Sequence, residues 1–233
     1  MLTIKNLTVS YKDNIDVIKN LSINFEESKI HGIAGLNGAG KTSLLNSIFG
    51  NIKPKSGEIE FQNKILTKKV IGYLETENFF YSNIKGNEYL SLFKGNLEHE
   101  KIWNSIFNLP LNDLIDSYST GMKKKLALMS ILKTEKPIYF FDEPFNGLDM
   151  ETVQTLKIII QKLREKGKTI LITSHILESI TSICDNIVFM EKGQIKYKFE
   201  KNEFQYIEKQ IFNELNIEKN ELINRIYNSN AIT

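Results

Sequence analysis

The residues Gly35 to Thr42 hold the most recognisable chemistry of this sequence. They read Gly-Leu-Asn-Gly-Ala-Gly-Lys-Thr and match the phosphate-binding pattern G-x-x-x-x-G-K-[ST] at every position. Glycines let the backbone turn so that successive N–H groups point at phosphate oxygens, while Lys41 can reach the β- and γ-phosphates and the Thr42 hydroxyl can bind a metal ion. The pattern predicts a site for a nucleoside triphosphate with Mg²⁺. The residues that we expect to contact the nucleotide here are Asn37, Gly38, Ala39, Gly40, Lys41, Thr42 and Ser43.

The segments on either side of this loop support the assignment. Ile30 to Ala34 is a short, largely apolar run that is suited to a buried strand. Lys41 to Phe49 has apolar residues at helical spacing and is followed by Gly50, a common residue at the end of a helix. We therefore expect a strand, the loop and then a helix whose N-terminus points at the anion.

A second group of residues with chemical potential follows an apolar run. Ile138 to Pro144 reads Ile-Tyr-Phe-Phe-Asp-Glu-Pro, so two carboxylates stand at the end of a predicted buried strand. Asp142 is positioned to hold Mg²⁺, directly or through water, and Glu143 to polarise a water for attack on the γ-phosphorus. The alternative is an exposed acidic turn, but the apolar strand before the pair favours a site.

The rest of the chain predicts an α/β fold that could position these groups. Strands are predicted at Leu2 to Tyr11, Leu21 to Phe25, Gly57 to Phe61, Val70 to Leu74, Pro137 to Asp142 and Thr169 to Thr173. Helical periodicity runs from about Asn78 to Thr134 and from Glu151 to Lys166. Strands that alternate with helices around a phosphate-binding loop indicate a mostly parallel sheet. In the tail, an amphipathic helix is predicted from Phe204, Ile207, Ile211 and Leu215.

The composition limits the classes of protein to be considered. The 233 residues suffice for one large α/β domain. Lys and Arg number 30 against 28 Asp and Glu, a net charge of +2, so we expect no nucleic-acid partner. Cys184 is the single cysteine, which excludes an internal disulfide and favours a reducing compartment. No apolar stretch has the length of a membrane span, and the N-terminus has no signal-peptide pattern, so we expect a soluble or peripheral protein.

Further segments complete a resemblance to the ATP-binding subunit of an ATP-binding-cassette (ABC) transporter, from about Leu2 to Phe199. Gly35–Thr42 resembles the Walker A motif of that family and Tyr139–Glu143 its Walker B motif. The other matching segments are Tyr118–Met122 (Tyr-Ser-Thr-Gly-Met, the signature), Asn146–Asp149 (the D-loop), Thr173–His175 (the switch histidine) and Tyr11 (the aromatic residue on adenine). The order and spacing of these motifs agree with the family throughout.

The resemblance implies a fold and a mechanism. The fold is a P-loop NTPase core with a mostly parallel sheet, an antiparallel β lobe and a helical lobe at about 78–134, within a domain at 1–200 that precedes a helical tail at 201–233. Two subunits bind ATP between them head to tail, so that Ser119 and Gly121 of one contact the γ-phosphate held by Lys41 of the other. His175 senses that phosphate and Asp149 links the two sites, while Glu143 assists hydrolysis.

The resemblance also implies partners and a place in the cell. We expect a second ATPase subunit, in a homodimer, and an integral membrane permease on the inner face of the cell membrane. The Ser-Thr-Gly-Met form of the signature is most similar to bacterial exporters of the antibiotic-resistance, ABC-2 type. Two alternatives are a soluble ABC protein that acts as a clamp on ribosomes or DNA, and a cassette that binds ATP only as a structural module.

Several assignments stay open at this stage. A straight alignment places Thr76 where the family has Gln or Glu after the strand Val70–Leu74, and Glu75 or Glu77 could substitute for it. The aromatic run Phe79–Tyr81 lies where the family docks a helix of the permease, but a core position in the helical lobe is an equal alternative.

Simple structural interpretations are open for three other features. Tyr11 could serve only in packing, although its place favours adenine. We expect His31 at a strand edge and the three lysines Lys123–Lys125 on a solvated face.

Overall fold

The structure is a computed structural model and describes residues 1–11, 15–211, 223–224 and 226–227. The strands of this part of the chain are β1 (Leu2–Ser10), β2 (Asp16–Phe25), β3 (Ile30–Ala34), β4 (Ser56–Phe61), β5 (Lys64–Ile65), β6 (Ile71–Leu74), β7 (Ile138–Asp142), β8 (Thr169–Ser174), β9 (Asn186–Glu191) and β10 (Gln194–Glu200). The helices are α1 (Lys41–Phe49), α2 (Gly86–Ser91), α3 (Leu97–Phe107), α4 (Thr120–Lys133), α5 (Met150–Glu165) and α6 (Leu177–Thr181).

The strands form two sheets. The smaller is antiparallel, with strand order β2-β1-β4-β5. The larger has the order β10-β9-β3-β8-β7-β6, in which β9, β3, β8, β7 and β6 are parallel and β10 is an antiparallel edge strand. Every residue of β3, β7 and β8 is buried, which explains their continuous apolar sequences, because both faces of a parallel sheet are covered. The predicted α/β class with a mostly parallel sheet and an antiparallel β lobe is confirmed.

Side chains of β7 show how the core is divided by the larger sheet. Ile138 and Phe140 point to one face, where they pack in a cluster with residues of α1 and the antiparallel sheet. Tyr139 and Phe141 point to the other face and pack with residues of α4 and α5. This alternation follows from the two-residue period of a strand. It anchors β7 on both faces, so the position of Asp142 at its end is fixed by the core.

Some elements differ from the predictions. β9, β10 and α6 have no counterpart among the predicted elements, because α6 has only five residues and β9 is a short apolar run without a measurable period. β2 begins at Asp16 rather than Leu21, since irregular pairing with β1 breaks its alternation. In the tail, Lys201–Tyr206 is a 3-10 helix that leads into helical residues 207–211, while Leu215 lies outside the described residues.

The predicted edge position of His31 is wrong. His31 lies in β3, between β9 and β8 in the interior of the sheet, and is 1% exposed. Its Nδ1 is 2.8 Å from Asn186 Oδ1 and its Nε2 is 2.8 Å from the Glu26 carbonyl oxygen. The ring also meets Phe25 edge to face. His31 therefore has a structural role with both ring nitrogens satisfied.

Replacement of Phe140 by alanine tests the importance of this core. Phe140 is fully buried, so we expect Phe140→Ala to lower the free energy of unfolding by about 3–5 kcal/mol through the lost transfer term and the cavity left behind. Ile65 is 85% exposed and serves as the control, with an expected change for Ile65→Ala of about 0.5 kcal/mol or less. Urea denaturation followed by circular dichroism measures both. Similar losses in the two variants would contradict the placement of the core.

Candidate functional site

The predicted phosphate-binding loop connects β3 to α1, as its sequence indicates. Gly38 and Gly40 have φ angles of 81° and 104°, in the left-handed region that favours glycine. A Cβ atom at Gly40 would lie 3.0 Å from both Ile18 Cδ1 and the Val17 carbonyl oxygen, so the loop also needs glycine for close packing against β2. Because α1 begins at Lys41, the partly positive N-terminus of this helix adjoins the loop.

The loop lines a cavity of about 470 Å³, here called the phosphate cavity. Nine of the predicted site residues line it: Asn37, Gly38, Ala39, Gly40, Lys41, Thr42, Ser43, Glu143 and His175. Val17, Thr76 and Asn146 complete its walls. The structure thus brings the loop, the end of β7 and the segment after β8 together around one space, although they are far apart in the sequence.

The Glu143 carboxylate lies between two nitrogen groups in this cavity. Lys41 Nζ is 3.5 Å from Glu143 Oε1, and His175 Nδ1 is 3.0 Å from Glu143 Oε2. Lys41 Nζ also donates a hydrogen bond of 2.7 Å to the Gly35 carbonyl oxygen. The side chains of Lys41 and Glu143 are only 7% and 11% exposed, so solvent screens their attraction weakly. This geometry orients the carboxylate toward the place where the loop would hold a terminal phosphate.

Thr173 bonds to the carboxylate of Asp142 and to the backbone of Glu143. Its hydroxyl donates a 2.5 Å hydrogen bond to Asp142 Oδ1 and accepts one of 2.9 Å from the Glu143 backbone N–H. The contact is possible because β8 pairs with β7 in a register that sets Thr173 beside Asp142. Thr173 was identified in the sequence only as the start of the switch-histidine segment. Its bridging role depends on strand pairing, which the sequence does not display.

Asp142 and Thr42 have the chemistry of a Mg²⁺ site. Asp142 is fully buried, and its Oδ2 atom has no hydrogen-bond partner within the described residues. A buried oxygen of this kind is costly unless a ligand or an ion satisfies it. Asp142 and Thr42 line the same cavity, which adjoins the phosphate cavity at Thr42. Carboxylate and hydroxyl oxygens together with substrate phosphates are ligands that Mg²⁺ prefers, so the residues present fit this ion.

Thr76, one of three candidates for the family's Gln or Glu position, lies beside the end of β7. Its hydroxyl donates to the Asp142 carbonyl oxygen at 3.4 Å, and the residue lines both the phosphate cavity and the adjoining cavity. Glu75 and Glu77 line only the adjoining cavity, where Glu75 Oε1 accepts a hydrogen bond from Asn51 Nδ2 at 3.2 Å. The two carboxylates are therefore neighbours of the Thr42 and Asp142 site, and the residue that contacts metal or water stays a prediction.

Tyr11 also lies on the adjoining cavity. Its hydroxyl is 3.1 Å from Ser43 Oγ at the start of α1, and about half of the residue is exposed. It is close enough to the loop to meet a nucleotide that extends beyond the phosphate cavity. Adenine stacking by Tyr11 stays a prediction.

The remaining candidates, Ser119, Gly121 and Asp149, do not line the phosphate cavity of this chain. Ser119 caps α4, since its Oγ accepts from the Met122 N–H at 3.3 Å. Asp149 caps α5 by accepting from the Thr152 N–H and hydroxyl, both at 2.8 Å, and these bonds hold the pKa of its carboxyl below the usual range. Ser119 and Thr120 at the N-terminus of α4 are exposed to solvent.

The predicted solvated position of Lys124 is wrong. Lys124 is 7% exposed, and its Nζ donates to the carbonyl oxygens of Glu143 and Asn146 at 2.8 and 3.0 Å. Burial lowers the pKa of its amine to about 8, against the opposing effect of the Glu143 and Asp142 charges. Helical spacing places Lys124 on the same face as the buried Leu128 and Ile131, and this signal could have identified it.

Comparison with known proteins agrees with this geometry. The profile of the family described as ABC transporter matches residues 18–146, more than half of the chain. The chain belongs to the ABC transporter family. As an ATP-binding subunit of this family it binds ATP and is an ATP hydrolase.

Individual relatives support the ABC assignment over most of the chain. An uncharacterised ABC transporter ATP-binding protein of Bacillus subtilis strain 168, YxlF, is 33% identical over 215 residues, which cover 87% of this chain and 72% of YxlF. The lantibiotic transport ATP-binding protein SrtF of Streptococcus pyogenes is 28% identical over 228 residues, which cover 94% of this chain and 99% of SrtF.

Solved structures share the ABC ATPase fold. The ATP-binding subunit of an ABC transporter superposes with a TM-score of 0.81 at 25% identity, covering 91% of this chain and 93% of that one. The ATP-binding cassette MJ0796, in a dimeric post-hydrolysis state with ADP and Pi, gives a TM-score of 0.79 at 23% identity over 86% of this chain and 99% of the cassette. None of the described helices of this ABC subunit has the length and apolar character of a membrane span.

Removal of the Thr173 hydroxyl tests its role in this ABC site. We expect Thr173→Val to lower kcat for ATP hydrolysis by roughly tenfold or more, because the bonds to the Asp142 carboxylate and to the Glu143 backbone N–H are both lost and each contributes about 1 kcal/mol or more. Thr173→Ser keeps the hydroxyl and is expected to stay within a few-fold of the original rate. Steady-state ATPase assays at saturating Mg²⁺ and ATP compare the three proteins, and an unchanged kcat in Thr173→Val would contradict the role.

The pKa of Lys124 predicts a pH dependence of stability. In the folded protein the amine loses its proton near pH 8, whereas in the unfolded chain it does so near 10.5. Between these values the unfolded chain binds more protons, so this group makes folding more favourable as the pH rises. The free energy of unfolding of the original protein should therefore increase relative to that of Lys124→Met from pH 8 to about 10.5. Urea denaturation at several pH values measures the difference, and a constant difference would contradict the burial of the amine.

Proposed function

We propose that this chain is the ATP-hydrolysing subunit of a transporter that exports its cargo through a separate membrane permease. Two copies bind ATP between them head to tail, with Mg²⁺ at each site, on the inner face of the cell membrane. In this proposal residues 1–200 form the ATPase domain, with residues 78–134 as its helical lobe, and residues 201–233 form a tail. The transport role rests on membership of the ABC transporter family, while export and the permease rest on the form of the signature and on the exposed aromatic residues described next.

The main support for a permease partner comes from exposed aromatic residues that follow Thr76 in the sequence. Phe79 and Tyr81 are 73% and 58% exposed, and their rings meet edge to face with centroids 5.2 Å apart. Phe80 between them packs into the core, with its centroid 4.9 Å from that of Tyr89. Phe80 thus takes the core position, and the exposed Phe79 and Tyr81 are available to a partner. Adjacent exposed aromatic rings are typical of protein interfaces, and this is where the family resemblance places the permease.

The separation of the signature from the phosphate cavity supports a head-to-tail dimer. Ser119 and Gly121 do not line the phosphate cavity of their own chain, which supports a role toward the γ-phosphate of a second copy. Asp149 stands near them at the start of α5, with Lys125 Nζ 3.6 Å from its Oδ2. Two identical chains arranged about a two-fold axis would complete two equivalent sites.

Hydrolysis follows from the groups around the γ-phosphate. Backbone N–H groups of the loop bind the phosphates, and Lys41 turns from Gly35 and Glu143 toward the β- and γ-oxygens. Glu143, released from Lys41, accepts a proton from the water that attacks the γ-phosphorus. His175 then holds the γ-phosphate and the carboxylate in one hydrogen-bonded group. Mg²⁺ held by Thr42 and Asp142 would neutralise the charge that develops on the phosphates.

Recovery from membranes tests the transport role against its alternatives. A tagged copy of this chain, recovered from detergent extracts of native membranes, should bring with it an integral membrane protein in stoichiometric amount.

The export direction is supported by the form of the signature, and SrtF is itself named a transport protein, for lantibiotics. Cargo assays with the recovered permease in vesicles would measure the direction. Recovery only with ribosomes or DNA would contradict the proposal and favour the soluble clamp.

Substitution of Glu143 tests the assigned base. We expect Glu143→Gln to bind ATP and form a stable dimer but to lose at least ~100-fold in ATP turnover, because the amide cannot accept the proton of the attacking water. Equilibrium sedimentation with ATP measures the dimer, and phosphate release measures turnover. Near-normal turnover would rule out Glu143 as the base, and loss of ATP binding as well would leave the cassette as a structural module.

A further inference from the structure

Lys124 connects the signature helix to the turn that carries Glu143. It lies in the second turn of α4, the helix capped by Ser119, and its side chain crosses to the end of β7. There the amine donates to the carbonyl oxygens at both ends of the segment 143–146, at 2.8 Å to Glu143 and 3.0 Å to Asn146. The sequence motifs give no indication that the signature and the Walker B carboxylate are linked in this way.

The turn held by Lys124 has a conformation that needs support. Glu143 has a φ of 48°, in the left-handed region that residues with a side chain adopt only at a cost in energy. The Asn146 N–H also donates to the Glu143 carbonyl oxygen, at 3.3 Å. The bond from Lys124 Nζ to the same oxygen is shorter, at 2.8 Å. Strained backbone that surrounding groups hold in place is common where a side chain must be aimed at a reacting atom.

A second and a third contact join the same two elements. A Cβ atom at Gly121 would lie 3.5 Å from the Gly147 carbonyl oxygen, an ordinary van der Waals distance, so the start of α4 lies beside the turn. Lys125 Nζ lies 3.6 Å from Asp149 Oδ2 on the exposed side. Of the two lysines, Lys124 is the one whose ammonium is removed from water and bonded to the backbone of the turn. Hydrogen bonds from charged donors are stronger when they are buried, so Lys124 makes the strongest of the contacts between α4 and the turn.

We propose that Lys124 is a positioning residue for ATP hydrolysis, which holds the backbone of Glu143 so that its carboxylate stays directed between Lys41 and His175. The inference rests on the proposed role of Glu143 as the base. It gives α4 a second function: the helix that presents Ser119 to the ATP of the other subunit also supports the base of its own subunit. A displacement of α4 along its axis would thus move the Glu143 carbonyl oxygen through Lys124.

Substitutions at Lys124 separate positioning from binding. Lys124→Met keeps most of the side-chain length but removes the donors, and we expect kcat to fall at least tenfold while KM for ATP and ATP-induced dimerisation change less than about threefold. Lys124→Arg retains the charge and the donors and is expected to recover part of the loss in kcat. Lys123→Met is the matched control, because Lys123 is partly exposed and precedes Lys124 on the same helix. Its kcat should stay within twofold of the original.

A double-mutant cycle with Glu143→Gln shows whether Lys124 acts through the base. If it does, Lys124→Met combined with Glu143→Gln should have the residual rate of Glu143→Gln alone, since there is no base left to position. Multiplied losses, an unchanged kcat in Lys124→Met, or equal losses of kcat and ATP affinity would overturn the inference. Should Lys124→Met fail to fold, Lys124→Gln, which removes the charge and shortens the side chain, takes its place in the cycle. Near-normal turnover in Glu143→Gln alone would instead overturn the proposed base.

Discussion

The burial of two adjacent carboxylates at the end of β7 is the constraint on which the rest of the site depends. Asp142 is fully buried and Glu143 nearly so, and an unpaired buried charge costs several kcal/mol. Lys41 and His175 stand beside the Glu143 carboxylate, the Thr173 hydroxyl bonds to Asp142, and Lys124 bonds to the backbone behind them. These partners come from three parts of the chain: the start of α1 after the loop, β8 with the residue that follows it, and α4. The site is therefore intact only when the loop, β8 and α4 are all packed correctly around β7.

Parallel strand order brings these partners together. The carboxyl ends of β3, β7 and β8 lie at one edge of the sheet, in the order β3-β8-β7, and the loop, Glu143 and His175 follow those three ends. Binding sites of open parallel sheets lie at this edge, because the chain leaves each strand there in a loop that is free to carry function. The buried faces of β7 hold the edge in place. The energy that fixes the site is thus the apolar packing of Phe140, Phe141 and their neighbours.

The sequence predicted the parts of the site that are encoded locally. The glycine pattern of the loop and the apolar run before Asp142 each imply their own conformation, so the placement of Lys41, Thr42, Asp142 and Glu143 at the ends of β3 and β7 could be predicted. Their roles toward ATP and Mg²⁺ stay predictions. Contacts set by strand register could not, and the bridging hydroxyl of Thr173 is an example. Lys124 was misplaced because a run of three lysines suggests solvent, although the helical period of its neighbours indicates a buried position. β9 was missed because it is a short apolar run without alternation, whereas β10 alternates at Ile195, Tyr197 and Phe199 and could have been predicted.

The most direct test of this account is an experimental structure of Glu143→Gln with Mg²⁺ and ATP. The account predicts two copies head to tail, with Lys41 on the β- and γ-phosphates, Mg²⁺ between Thr42 and Asp142, and Ser119 of the second copy on the γ-phosphate. The turn at 143–146 should keep its bonds to Lys124 while Lys41 moves. A structure in which ATP lies away from the loop, or in which Lys41 keeps its contact with residue 143 beside bound ATP, would contradict the account.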